Sequence, residues 1–199
     1  MAISRRIVVL ASGRGSNFCA IADAIAQKQI TGAEIVALIL NKSQATAIQE
    51  AQKRKVPFFI VESQKFRSSG KFDRYTFEIE LLNELKKLKP DLILLAGYML
   101  VLGKEVIQSF PRKIINIHPS LLPKFRGLHA QRQALESGEL ETGCTVHWVT
   151  EGLDEGETIL QAKIPILQGD TEQTLSERLL PIEHSTYVKA LQLVLASHS

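Results

Sequence analysis

The chain alternates short apolar runs with segments of helical periodicity, and no other feature of the sequence restricts its fold as strongly. Residues 6–11 (RIVVLA), 34–40 (EIVALIL) and 91–96 (DLILLA) are runs that are apolar on both faces. Strands of this kind, alternating with helices, are typical of a parallel sheet that helices cover on both sides. We therefore predict a doubly wound α/β fold, with residues 1–199 forming a single domain.

The remaining elements follow from the same two periodicities. Further strands are predicted at 57–61 and 113–117, and helices at 17–29, 45–55, 71–88, 104–110 and 130–137. After Pro119 the pattern changes, because residues 142–150 and 158–166 are strand-like runs joined by the acidic segment TEGLDEGE. A short connection favours an antiparallel pair. We expect a mostly parallel sheet with an antiparallel C-terminal strand pair, followed by a helix over 171–197.

The composition narrows the class of protein. Hydrophobic residues make up 45% and charged residues 23%, with a formal net charge of +3, which is an ordinary soluble balance without the basic stripe of a nucleic-acid binder. No apolar run in the sequence approaches the length of a membrane span. Cys19 and Cys144 are far apart and outside any metal-ligand spacing. We expect two reduced core thiols in a cytoplasmic protein that binds neither nucleic acid nor membranes.

The segment ASGRGSN, residues 11–17, lies where the first predicted strand passes into the first helix. Glycine permits positive φ and close backbone approach, and a helix N-terminus presents unpaired N–H groups with partial positive charge. The amides of Gly15, Ser16 and Asn17 could hold a phosphate there, and Ser16 or Asn17 could cap the helix. The spacing matches neither the dinucleotide fingerprint nor the P-loop, so it favours a monophosphate. A tight turn with a helix cap is the alternative.

A polar pair ends the apolar strand in IINIHPSLLP, residues 114–123. Side chains alternate along a strand, so Asn116 and His118 are expected to point to the same side. Ligands of open α/β sheets bind beyond the carboxyl ends of the strands, so this pair and the glycine loop could share a cleft. Asparagine can donate to a developing oxyanion, and histidine can transfer a proton or stabilise that oxyanion as imidazolium. A structural histidine with satisfied hydrogen bonds is the alternative.

A histidine that must stay protonated needs a carboxylate nearby, and the acidic loop supplies four. They are Glu151, Asp154, Glu155 and Glu157. Asp154 precedes a Glu-Gly turn that can hold a loop carboxylate inward, but the residues alone do not choose among the four. A solvated acidic turn is the alternative for each of them.

With these motifs assembled, the chain closely resembles the folate-dependent glycinamide ribonucleotide formyltransferases of purine synthesis. The resemblance covers nearly the whole chain, through VVLASGRGSN, PDLILLAGYM, INIHPSLLPKFRGLHA, VHWVTEGLDEGETILQAKIPI and IEHSTY. The Asn-x-His-Pro-Ser-x-Leu-Pro stretch marks the wider formyltransferase superfamily. The GLHA continuation and the Gly-Ser-Asn loop point to this member of it.

The resemblance implies an enzyme that transfers the formyl group of 10-formyltetrahydrofolate to the amine of glycinamide ribonucleotide, without a metal. It implies that the catalytic residues are Asn116, His118 and Asp154. The oxyanion of a tetrahedral intermediate would lie between Asn116 and protonated His118, and Asp154 would raise the pKa of that histidine. We expect these two small molecules as partners, and a monomer or homodimer.

The resemblance also implies the residues that bind the two substrates. The loop Gly15–Asn17 would hold the ribonucleotide phosphate, and Glu183 would lie near its amine. The residues implied for the folate are Ser69, Met99, Leu100, Val101, Leu102 and Asn116. Two of these depart from the family pattern, because Leu100 and Ser69 stand where arginines are common. Arg67 and Lys71 are candidate substitutes for the second arginine.

Three other functions are open to a chain of this pattern. One is formyl transfer to methionyl-tRNA, and another is hydrolysis of formyltetrahydrofolate; we expect 199 residues to leave no room for the further domains of those enzymes. The third is a non-enzymatic module that binds a phosphate ligand. That module assigns no role to His118, so a His118→Asn variant would behave like the wild type.

Overall fold

The computed structural model describes residues 4–197, and strands and helices alternate along the chain as the sequence predicts. The strands are β1 (Arg5–Ala11), β2 (Ala33–Leu40), β3 (Phe58–Ile60), β4 (Arg67–Ser68), β5 (Lys71–Phe72), β6 (Leu92–Leu95), β7 (Ile114–His118), β8 (Glu141–Trp148) and β9 (Thr158–Pro165). The helices are α1 (Ser16–Ala26), α2 (Ala47–Lys53), α3 (Arg74–Leu88), α4 (Lys104–Ser109), α5 (Ala130–Glu136) and α6 (Glu172–Ala196), with a 3₁₀ helix at Ser63–Phe66. Residues 1–3 and 198–199, the ends of the predicted single domain, lie outside the described residues.

Seven of the described strands form one sheet, in the order β3-β2-β1-β6-β7-β8-β9. Strand β1 pairs in parallel with β2 and β6, and β2 pairs in parallel with β3. Strands β8 and β9 are antiparallel. The prediction of a doubly wound, mostly parallel sheet with an antiparallel C-terminal pair is confirmed. Among the helices of residues 4–197, none combines the length and apolar character needed to cross a membrane.

The chain divides into two compact units, Met1–Ile115 and Asn116–Ser199, and the first contains the parallel pairs of β1, β2, β3 and β6. Its core forms because β1 and β6 are apolar on both faces: Val8, Val9 and Ile93 have no exposed surface. Helix α3 contributes the fully buried Leu81 and Leu85. This core fixes the carboxyl end of β1, where the glycine loop begins.

Helix α3 is shorter than predicted, because the strands β4 and β5 form a hairpin just before it. The predicted helix begins at residue 71, but Lys71 pairs with Ser68 in that hairpin. The helix starts after Asp73, whose side chain accepts a hydrogen bond from the amide of Thr76. An aspartate cap of this kind satisfies one of the free amides of the first turn, which explains the later start.

The second unit is built on the antiparallel pair β8 and β9, against which α6 packs. Leu175, Leu179 and Tyr187 of α6 are fully buried. The helix begins with a capping box at Thr171 and Thr174, and it continues through Pro181. A register shift between Val146 and His147 marks a bulge in the pair. Such a bulge changes the direction of the side chains that follow it.

Candidate active site

The glycine loop turns between β1 and α1 in the conformation that glycine permits. Gly15 has a φ of 72°, and a Cβ at this position would lie 2.6 Å from the Cβ of Ala47. The carbonyl of Gly13 accepts a hydrogen bond from the amide of Ala47, at 3.1 Å. The loop is therefore held against the start of α2, and a side chain at position 15 would disturb both its dihedral angles and its packing.

The predicted helix cap at Ser16 or Asn17 is wrong. Ser16 is the first residue of α1, and the N-cap is Gly15 in the left-handed conformation, without a side-chain hydrogen bond to the helix. The reason is steric, because the close approach to Ala47 requires glycine at the position where a serine or asparagine cap would stand. The first turn still presents its amides at the end of β1, as a phosphate site requires.

The segment Met99–Leu102 follows β6 and is tied to the glycine loop through Ser12. The buried hydroxyl of Ser12 accepts a hydrogen bond from the amide of Met99 at 2.8 Å, and the amide of Ser12 donates to the carbonyl of Gly97 at 3.1 Å. Met99 and Val101 are about half exposed or more, and Leu102 is buried. The segment is thus partly exposed, and these hydrogen bonds fix its position relative to the glycine loop.

Ser69 and Arg74 differ in what they contact near this segment. Ser69 lies in the exposed turn of the β4–β5 hairpin, with a φ of 49°. Arg74, the first residue of α3, donates from Nη2 to the carbonyl oxygen of Val101 at 2.7 Å. The guanidinium that the structure places at this segment therefore belongs to Arg74, whereas Arg67 stacks on the ring of Phe72 with its Cζ 5.1 Å from the ring centroid.

The end of β7 carries Asn116 and His118, and β8 brings His147 to the same place. The Nδ2 of Asn116 lies 3.3 Å from the Nε2 of His147, and the Nδ1 of His147 lies 2.9 Å from the carbonyl oxygen of Trp148. When Nδ1 donates to that carbonyl, the neutral ring leaves Nε2 as an acceptor for the Asn116 amide. The backbone of Gly156 packs against the Trp148 carbonyl so closely that a Cβ there would overlap it.

Asp154 lies against both histidines, on the loop between β8 and β9. Its Oδ2 is 3.4 Å from the Nδ1 of His118, and its Oδ1 is 3.6 Å from the Nε2 of His147. The amide of Gly127 donates to Oδ2 at 2.9 Å, and only 9% of the Asp154 side chain is exposed. Glu155, the next residue of this loop, is about half exposed and pairs with Arg126 at 2.5 Å.

Burial lowers the pKa of His118 below its ordinary value. The carbonyl of Phe125, 2.8 Å from Nε2, and the charge of Asp154 act in the opposite direction, and His147 adds to the lowering. Asp154 thus contributes the predicted upward effect on the His118 pKa, but desolvation outweighs it. Burial would by itself raise the pKa of Asp154, yet His147, the Gly127 amide and His118 together bring it below its ordinary value. The carboxylate is therefore ionised at neutral pH.

Glu183 and Cys144 lie near each other between α6 and β8. Burial raises the pKa of the Cys144 thiol to about 11, and the Glu183 carboxylate adds to this effect.

The two cysteines differ in burial. Cys144 is fully buried, as predicted, but the prediction of a core thiol is wrong for Cys19, which is only partly buried. The Sγ of Cys19 lies 3.7 Å from Oε2 of Glu50. The same carboxylate oxygen forms a salt bridge with Arg54 at 2.6 Å.

His147 is the member of this cluster that the sequence reasoning missed. It stands in the strand run TVHWV, where alternation alone makes a histidine look like a satisfied core residue. The sequence does contain one signal: His147 is only seven residues from Asp154, so a short loop can bring the acidic turn back to this strand.

Within the described part of the chain, no group of three histidine, cysteine, aspartate or glutamate residues is arranged to hold a metal ion.

Comparison with known proteins gives consistent matches over almost the whole chain. The family model described as formyl transferase matches residues 5–191. The phosphoribosylglycinamide formyltransferase of Escherichia coli (strain K12) is 41% identical over 181 residues, which are 91% of this chain and 82% of that protein. The crystal structure of glycinamide ribonucleotide transformylase 1 from Symbiobacterium toebii superimposes with a TM-score of 0.91 at 40% identity, covering 98% of this chain and 89% of that one.

A longer protein also matches. The trifunctional purine biosynthetic protein adenosine-3 of Drosophila pseudoobscura pseudoobscura is 44% identical over 191 residues, or 96% of this chain. The chain spans only 14% of the length of that relative.

Proposed function

Because this chain belongs to the formyl transferase family, we propose that it transfers the formyl group of 10-formyltetrahydrofolate to the amine of 5′-phosphoribosylglycinamide, in purine synthesis. The observation that carries the proposal is the cluster of Asn116, His118, His147 and Asp154 at the end of β7. An amide donor, an imidazole and an ionised carboxylate are the groups that acyl transfer to an amine requires. The named relatives and the neighbouring crystal structure support the choice of substrates.

The substrate amine attacks the formyl carbon, and the carbonyl electron pair moves onto oxygen. Asn116 donates from its amide to the resulting oxyanion, because His147 holds that amide by its other hydrogen. His118 provides the second donor when its Nε2 exchanges the Phe125 carbonyl for the oxyanion. A preorganised pair of donors lowers the energy of the charged intermediate without reorganising water.

The proton leaves the attacking nitrogen and reaches N10 of the folate, through His118 or a water molecule. The lowered pKa of His118 keeps its ring neutral in the free protein, with its hydrogen on Nε2, which donates to the Phe125 carbonyl. The ring therefore accepts a further proton at Nδ1, beside Asp154, and can release one from Nε2 toward the substrates. The carboxylate of Asp154 then stabilises the imidazolium while the oxyanion exists. The carbon–N10 bond breaks as the carbonyl re-forms, and tetrahydrofolate leaves.

Two segments of the first unit are assigned to groups of the substrates, and Glu183 is assigned to the substrate amine. The amides of Gly15, Ser16 and Asn17 at the start of α1 hold the phosphate, and Glu183 lies near the amine. The backbone of Met99–Leu102 binds the pterin, and the exposure of Met99 and Val101 supports this role. The Arg74 guanidinium, rather than Ser69, provides the cation beside that segment.

The experiment that tests the proposal is a comparison of acceptors. Purified protein is mixed with 10-formyltetrahydrofolate and glycinamide ribonucleotide, with methionyl initiator tRNA, or with no acceptor, and tetrahydrofolate release is measured. We expect release only with the ribonucleotide. Release without any acceptor would indicate a hydrolase, and release only with the tRNA would indicate the tRNA enzyme; either result contradicts the proposal.

A further inference from the structure

A buried carboxylate lies directly behind the Met99–Leu102 segment and belongs to none of the groups described above. Glu78, in the second turn of α3, is 5% exposed. Its Oε1 accepts a hydrogen bond from Nε of Arg74 at 2.7 Å, one turn earlier in the same helix. Buried carboxylates are costly unless paired, so this contact ties the guanidinium strongly to one position.

The guanidinium of Arg74 in turn holds the Met99–Leu102 segment. Arg74 uses Nε for Glu78 and Nη2 for the carbonyl oxygen of Val101, at 2.7 Å. One planar group thus bridges a buried carboxylate and the backbone of a partly exposed segment. Arginine suits this because its donors have a fixed geometry, whereas lysine would satisfy only one partner at a time.

The same carboxylate fills the space at the other end of the segment. A Cβ added to Gly103 would overlap the carboxyl group of Glu78, although the backbone of Gly103 is in an ordinary extended conformation. A side chain at position 103 would therefore displace the Glu78 carboxylate, although the dihedral angles alone would permit one. Burial raises the pKa of Tyr98, and the charge of Glu78 adds to this effect. The Tyr98 hydroxyl finds no hydrogen-bond partner among the described residues.

From these contacts we infer that Glu78 is a positioning residue for the folate: it fixes the backbone of Met99–Leu102, through Arg74 at Val101 and by direct packing at Gly103. The inference rests on the proposed function, because it assigns the held segment to folate binding. Glu78 itself touches neither substrate in this arrangement. Its loss should weaken folate binding while leaving the chemical step intact.

The test compares Glu78→Gln with Glu80→Gln, a matched change at an exposed glutamate of the same helix. In ligand-free protein, amide hydrogen exchange of residues 97–103 should become about tenfold faster in Glu78→Gln, because a charge-assisted contact is lost, and should be unchanged in Glu80→Gln. The KM for 10-formyltetrahydrofolate should rise about tenfold, with kcat changed less than about twofold. Equal exchange in the two variants would overturn the inference.

Arg74→Lys keeps the test decisive should Glu78→Gln not fold, since the side chain of Arg74 is about half exposed. Arg74→Lys should also make amide exchange of residues 97–103 faster and raise the KM for 10-formyltetrahydrofolate. The double variant should show no larger change than the more affected single variant, because both substitutions disrupt the same set of contacts. Additive effects would overturn the inference. The exchange readout is independent of activity, so a chain that transfers no formyl group would refute the proposed function and still give a result for Glu78.

Discussion

The carboxylate of Asp154 lies against the imidazole of His118, with Oδ2 3.4 Å from Nδ1. This separation is longer than an ordinary hydrogen bond, so in the neutral state the contact is electrostatic and becomes a strong interaction when the ring takes a proton. The carboxylate is itself anchored, because the amide of Gly127 donates to the same oxygen at 2.9 Å. The pair is therefore arranged to stabilise an imidazolium that forms during the reaction.

Asp154→Asn should lower kcat by about a hundredfold or more, because the charge that stabilises protonated His118 is lost. The inflection that His118 gives to the pH–rate profile should move to lower pH, since Asp154 is one of the groups that raise its pKa. Steady-state kinetics between pH 5 and pH 9 measures both. Glu155→Gln, at a neighbouring and half-exposed carboxylate, should keep the rate within about twofold. An unchanged profile in Asp154→Asn would contradict the role proposed for this residue.

His147→Leu should lower kcat about tenfold while the KM for either substrate changes little, because Asn116 loses the acceptor that orients its amide. His147→Gln should recover part of the rate, since a glutamine oxygen can accept from the Asn116 amide. A purely structural role would make both variants equally unstable and equally inactive. Thermal unfolding of both, measured beside the kinetics, separates these outcomes.

Gly15→Ala should destabilise the protein and raise the KM for the ribonucleotide. The left-handed backbone and the 2.6 Å approach to Ala47 together should lower the free energy of unfolding by about 2 kcal/mol. Urea unfolding measures this. Gly13→Ala is the matched control for stability, because a Cβ there would meet no heavy atom beyond its chain neighbours within 4 Å, and its effect should stay below about 0.5 kcal/mol. Equal losses at the two glycines would show that the contact with Ala47 is unimportant.

The free energy of unfolding should fall as the pH is lowered from 7.5 to 5.5, partly because of His118. The pKa of His118 is lower in the folded protein than its ordinary value of about 6.5, so the unfolded chain binds more protons in this range. His118→Gln should reduce the slope. Asp154 does not contribute here, because its lowered pKa gives stability that is lost only below about pH 4. Urea unfolding at the two pH values tests this, and identical slopes would contradict it.

The strands and the polar pair of the site were predictable, because both follow from periodicity. The run at 114–118 ends in Asn116 and His118, and alternation alone puts them on one side. The predicted strand stops at residue 117, one short of the observed end, because a polar residue before a proline does not look like part of a strand. Boundaries of this kind depend on tertiary hydrogen bonds that short-range patterns do not contain.

The contacts that select Asp154 and set the pKa of His118 were not predictable from short-range patterns. Four carboxylates of the acidic loop are equivalent in sequence, and the Gly127 amide that selects Asp154 lies 27 residues away. His147 stands at the register shift between β8 and β9, which no local pattern marks. Burial lowers the pKa of His118, and that burial results from tertiary packing, which no sequence motif records.

Gly156 shows how a residue without a side chain can govern the chemistry of two others. Its backbone packs against the Trp148 carbonyl, and that carbonyl accepts the Nδ1 hydrogen of His147. The tautomer of His147, and with it the orientation of the Asn116 amide, therefore depends on a position in the loop before β9 that leaves no room for a methyl group. A substitution at position 156 would disturb the hydrogen bond that keeps a proton on Nδ1 of His147, although residue 156 itself has no group that binds or releases a proton.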